Sequence, residues 1–85
     1  MTYMVIAEID SNRKFKTFAV GETDLYPTDI SLDLNPLTYQ ATCMAFFEKN
    51  LSETDTAFEL RVKREILKKY DQEREVQTIA RGARF

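Results

Sequence analysis

The chain has 85 residues, a formal net charge of −2 and an apolar fraction of 44%, with six Phe, four Tyr, two Gly and two Pro. That describes one small domain with enough apolar residues for a packed core, and it excludes a largely disordered chain, a histone-like basic protein and a strongly acidic mimic of nucleic acid. A single cysteine, Cys43, excludes an intrachain disulfide, and the lack of histidine removes the commonest general base and metal ligand.

The charge is unevenly placed. Residues 1–59 hold ten acids and four bases, a net of −6, whereas residues 60–85 hold eight bases and four acids, a net of +4. An acidic module followed by a basic arm predicts that the arm touches a partner; the plainer alternative is a basic helix lying beside acids of its own fold. The first residues, Met1-Thr2-Tyr3-Met4, show no basic region or long apolar stretch, and no run approaches the ~18 apolar residues of a membrane span. Neither a secretion signal nor a membrane anchor is expected, which places the protein in the cytoplasm of the producing or a host cell.

Tyr3, Val5, Ala7 and Ile9 alternate with Met4, Ile6, Glu8 and Asp10, which predicts a strand that is apolar on both faces at its start and polar on one face at its end. Asp10-Ser11-Asn12-Arg13-Lys14 is a turn cluster, and Phe15 to Val20 forms the second arm of an antiparallel hairpin. Gly21 to Asp24 ends that arm. Ile30-Ser31-Leu32-Asp33-Leu34 has period two again and predicts a third, edge strand with its Asp and Ser toward water.

Asn35-Pro36 has the form of a helix start, with Asn at the cap and Pro at the first helical position. A helix is predicted from Pro36 to about Asn50. Leu37, Ala41, Met44 and Leu51 fall on one side of it, Tyr39, Cys43 and Phe46 on the other, so it should be buried on most sides. Ser52, with Asp55 three residues on, predicts the cap of a second helix over 53–81. There Phe58, Val62, Ile66 and Tyr70 form a ridge spaced by four, and Glu59–Lys63 and Glu65–Lys69 are favourable pairs. Val76, Ile79 and Ala80 extend that side, and Gly82 suits a stop just beyond the last turn. Phe58, Leu60 and Val62 also alternate, so a strand over 56–63 competes. The expected fold is α+β in one domain: an acidic β module of three antiparallel strands (1–34), a buried helix (35–51) and a long amphipathic basic helix (53–81).

No constellation for catalysis stands out. Cys43 has no histidine to pair with and sits on an apolar segment, so a core role is expected. Gly21 and Gly82 stand alone, so no phosphate-binding loop is formed. Asp24, Asp29 and Asp33 lack the spacing and the glycine of a calcium loop. No enzyme activity, cofactor, metal or small-molecule substrate is expected.

Binding is the remaining chemistry. Leu60 and Leu67 lie seven apart on the helix side away from the ridge, where an internal core has no use for them. Lys69 and Glu73 fall within the main stripe, so the second half of the helix should protrude. The expected partner-binding residues are therefore Leu60, Arg61, Arg64, Leu67, Lys68, Arg74 and Arg81, meeting a protein partner or a second copy in a homodimer. No sustained heptad supports a long coiled coil. The alternative is a nucleic-acid-binding regulator in which Arg61, Arg64, Lys68, Arg74 and Arg81 follow a phosphate backbone, although no nucleic-acid motif surrounds them and Glu65, Asp71, Glu73 and Glu75 interrupt the charge. Glu22, Asp24, Asp29 and Asp33 are candidates for a second surface. Size and composition alone place the chain beside small inhibitors, adaptors and regulatory subunits, including those by which phages and mobile elements block host enzymes or defence systems.

Overall fold

The computed structural model describes residues 1–26 and 28–82, with side chains described except those of Arg81 and Gly82. The fold is α+β, with four strands, β1 (Thr2–Ile9), β2 (Phe15–Thr23), β3 (Thr28–Leu34) and β4 (Ala41–Glu48), then one helix, α1 (Asp55–Gly82). All strand pairs are antiparallel, in the order β2-β1-β4-β3. Two hairpins thus meet along β1 and β4, leaving β2 and β3 as the edges.

The first hairpin forms as its turn residues predict. The Asp10 carboxylate accepts from the backbone N–H of Asn12 (2.8 Å) and of Lys14 (3.0 Å), and Arg13 turns the chain at φ 64°. A bulge lies between Glu8 and Ile9, where Lys16 of β2 has no partner of its own.

The second hairpin corrects the sequence reading of a buried helix over 35–51. Asn35 does cap a turn: its Oδ1 accepts from Leu37 N (2.9 Å) and Thr38 N (3.3 Å), and Tyr39 N donates to Asn35 O (2.8 Å). The turn then stops, because Tyr39 takes φ 58° and Asn35 N donates to Gln40 O (2.8 Å), closing a hairpin. From Ala41 the chain alternates, with Ala41, Cys43 and Ala45 buried and Thr42, Met44 and Glu48 exposed. A segment apolar on several sides suits a strand with two apolar faces as well as a buried helix.

The helix starts slightly later than the sequence suggests. Thr54, not Ser52, is the cap, its Oγ1 accepting from Ala57 N at 3.1 Å, and Phe58 N donates to Thr54 O at 2.9 Å. Residues 56–63 are helical, which excludes the competing strand.

The core lies between α1 and one face of the sheet. The ridge Phe58, Val62, Ile66 and Tyr70 is buried as the spacing predicts, against Val5, Ala7, Ile9, Leu34, Ala41, Cys43 and Ala45. Small residues on β1 and β4 let the large helix residues sit close, the large-against-small complementarity of a dense interior. Tyr3 adds a tilted ring contact with Phe58, centroids 5.3 Å apart. At the other end the Tyr70 hydroxyl donates to Tyr39 O (2.7 Å), with Asp10 O at 3.3 Å, and accepts from Arg74 Nη1 (3.2 Å), tying the helix to both hairpin turns.

A helix of 28 residues is about 42 Å long, whereas strands of eight residues span about 26 Å. The helix therefore outruns the sheet. Past Arg74, Val76 and Ile79 are 59% and 63% exposed, in keeping with the protruding second half expected from sequence.

Candidate binding surfaces

The residues singled out on the basic helix divide into two groups. Arg61 and Arg74 are turned back onto the protein. Arg61 donates through Nε and Nη2 to the Glu53 carboxylate (2.8 and 3.0 Å) and through Nη2 to Glu48 O (2.6 Å), and lies over the Phe58 ring. This pairing raises the Arg61 pKa and lowers that of Glu53. Arg74 donates to Ser11 O (2.6 Å) as well as to Tyr70, with its guanidinium 4.4 Å from the Tyr39 ring centre. These two arginines fasten the helix at two separate points, which argues against their role as partner contacts.

Leu60, Arg64 and Lys68 face solvent, with Leu60 62% exposed. Leu67, expected to be unpartnered, is partly buried and packs on the core cluster. These four line a shallow groove together with Arg13, Lys63 and Asp71. Arg13 closes one side of it by a two-point contact with the Asp71 carboxylate (2.9 and 3.0 Å). Lys63 is drawn toward Glu59 (3.4 Å) and over the Phe15 and Phe18 rings, and Lys69 toward Glu73 (3.2 Å). Much of the basic cluster is thus locally compensated. The Arg81 side chain lies outside those described.

The larger unpartnered surface is one that the sequence reading does not assemble. The helix covers one face of the sheet, and among the described residues nothing covers the other. Register places four rows of side chains there: Thr23, Thr2 and Glu48; Gly21, Met4, Phe46 and Thr28; Ala19, Ile6, Met44 and Ser31; Thr17, Glu8, Thr42 and Asp33. The centre is apolar, made of Met4, Ile6, Met44 and Phe46, with Ile6 44% and Met44 47% exposed. The charges within these rows are all acidic: Glu8, Asp33 and Glu48. Glu48 is held below the usual carboxylate range by hydrogen bonds from the Met1 amino group (2.7 Å) and the Thr2 hydroxyl (2.9 Å). Ser31, Asp33, Thr42, Ile6 and Met44 border a shallow depression on this face. Of the acidic residues expected to form a second surface, Asp33 lies here, Glu22 lies on β2, Asp29 on β3 and Asp24 in the link between them.

The signal for this face is present in Met4 and Ile6, apolar on the side of β1 away from its core residues. It is incomplete in the sequence because Met44 and Phe46 read as part of a helix. Among the described residues no group of three or more His, Cys, Asp or Glu is arranged to hold a metal ion, and no helix is long and apolar enough to cross a membrane. No protein-family model matches this sequence, no curated protein matches it, and no solved structure matches its fold.

Proposed function

We propose that this chain is a non-enzymatic protein-binding module, an inhibitor, adaptor or regulatory protein that acts by occupying a partner with the open face of its sheet. The observation that carries this reading is the apolar centre Met4–Ile6–Met44–Phe46 on a face that no described element covers. Half-exposed residues of this kind gain on the order of 2–4 kcal/mol when a partner covers them. Methionine adds adaptability, since its unbranched side chain refits to different surfaces. The rim selects the partner's chemistry: the Glu8 and Asp33 carboxylates and several hydroxyls suit an apolar segment flanked by Lys or Arg, and repel an acidic one, Glu48 being already paired with the Met1 amino group. The sequence supports a non-catalytic role, having no histidine and no partnered nucleophile.

The test is selection of binders from a random peptide library on the whole protein. Selected peptides should combine apolar residues with Lys or Arg. Their affinity should fall at least tenfold for the double variant Ile6→Lys with Met44→Lys, which alters exposed side chains and spares the core. It should be unchanged by Arg64→Glu with Lys68→Glu. Binders that ignore the first variant and fail on the second would move the activity to the basic helix, and tight salt-sensitive binding of nucleic acid lost in that same variant would favour the phosphate-contacting alternative.

A further inference from the structure

The edge strand β2 has three properties that its counterpart β3 lacks. It is long, nine residues without proline, and it pairs regularly with β1 from Thr17 to Thr23. β3 is shorter, is bulged between Thr28 and Ser31, and carries Asp29 and Asp33. Bulges and inward or edge charges are how proteins blunt an edge; the bulge of β2 lies at its hairpin end, and its two charges, Lys16 and Glu22, lie toward its two ends, leaving Thr17 to Gly21 uncharged. The second property is incomplete cover. α1 packs toward the β3–β4 half of the sheet. On the helix side of β2, Val20 is therefore 43% exposed and Phe18 only partly buried, beside a groove of about 460 Å³ lined by Tyr3, Phe58 and Glu59. The third property is charge. Lys16 and Glu22 stand at equal distances on either side of Ala19, and neither has an ion-pair partner among the described residues.

We propose that β2 pairs antiparallel with β2 of a second copy of this chain, about a two-fold axis at Ala19. In that register Phe18 faces Val20 of the second copy, Thr17 faces Gly21 of the second copy, and Lys16 meets Glu22 of the second copy, each contact occurring twice. An axis one residue away, at Phe18, opposes Val20 to Lys16, and one at Val20 opposes Asp24, which lies beyond the end of β2. The bulge displaces Lys16, but its four-carbon stem reaches across the short edge. Gly21 leaves open space beside its backbone, so the second strand meets no side chain there. The unpaired N–H and C=O groups of the edge are satisfied, and the Phe18–Val20 pairs cover the groove left by the off-centre helix. The result is a continuous sheet in the order β3-β4-β1-β2-β2-β1-β4-β3. Both helices lie on one side, and the two open faces join into one acid-rimmed surface. This pairing stands apart from the partner chemistry argued above, and either can fail without the other.

Sedimentation equilibrium of the full chain across micromolar to millimolar concentrations tests it. The expected result is a reversible monomer–dimer equilibrium that doubles the 9.9 kDa mass. Glu22→Lys, which sets lysine against lysine, should weaken it at least tenfold, and the swap Lys16→Glu with Glu22→Lys should restore it. Leu60→Glu should leave it unchanged. A wild-type chain that stays monomeric at millimolar concentration overturns the proposal. So does a dimer indifferent to Glu22→Lys, or one dissolved by Leu60→Glu, which would place the seam on the helix.

Discussion

Replacing Tyr70 by alanine should lower the unfolding free energy by about 3–5 kcal/mol, enough to leave much of the population unfolded at physiological temperature. A domain of this size has on the order of 4–13 kcal/mol to lose. Tyr70 is the largest of the fully buried side chains, at 0% exposure, and closes the far end of the core ridge. Its hydroxyl links the Tyr39 carbonyl to Arg74, which in turn holds Ser11 O. One substitution therefore removes ring packing and the hydroxyl's bond to the Tyr39 turn, leaving Arg74 and the Arg13–Asp71 pair to hold the first hairpin turn. Tyr70→Phe separates the two contributions: it keeps the ring and should cost about 1–3 kcal/mol, the range for leaving buried hydrogen-bonding groups unpaired. Urea denaturation of the three proteins measures both. Equal losses for Phe and Ala would mean that the hydroxyl network, not the packing, holds this end together.

Cys43 should be nearly inert in the folded protein. Burial under the helix pushes its thiol from 9.0 up to about 11 by penalising the thiolate. At pH 8 the folded chain then carries ~100-fold less thiolate than the unfolded one, and reagent access is closed as well. Reaction with a thiol-specific disulfide reagent should be at least ~100-fold slower than in urea. The same shift sets a pH dependence. Between the two pKa values the folded state holds a proton that the unfolded state has lost, so stability falls as pH rises above 9 and levels near 11, at up to ~1.4 kcal/mol per unit. Cys43→Ala should lack this component of the alkaline decline. A fast-reacting native thiol would mean that α1 lifts from β4 far more often than its packing allows.

Much of the architecture is legible from residue spacing. The β1–β2 hairpin follows from alternation on either side of an Asp–Asn turn, and the helix ridge follows from Phe58, Val62, Ile66 and Tyr70 at intervals of four. β4 is hidden for a physical reason. Asn35-Pro36 stabilises a helical turn locally, and the structure contains that turn. Beyond it, the conformation of residues 41–48 is decided by pairing with β1 and β3, and a short apolar run has no period of its own to announce those partners. Alternation of small Ala41, Cys43 and Ala45 with Thr42, Met44 and Phe46 is the available clue. Losing β4 also hides the open face, since half of its apolar centre comes from that strand. On the helix, Leu60 is as exposed as its position suggests. Arg61 and Arg74 are not, because acceptors such as Glu53, Glu48 O and Ser11 O come from segments whose approach spacing on the helix does not reveal.

The most direct measurement of the binding surface uses methyl-labelled methionine. The chain has three methionines, of which Met4 and Met44 lie on the open face. Titrating the labelled protein with a helical peptide of leucines and lysines should shift the Met4 and Met44 methyl resonances saturably, and a leucine–glutamate peptide should shift neither. Unmoved methionines, with backbone changes gathered instead at Leu60, Arg64 and Lys68, would contradict the open sheet face as the site of recognition.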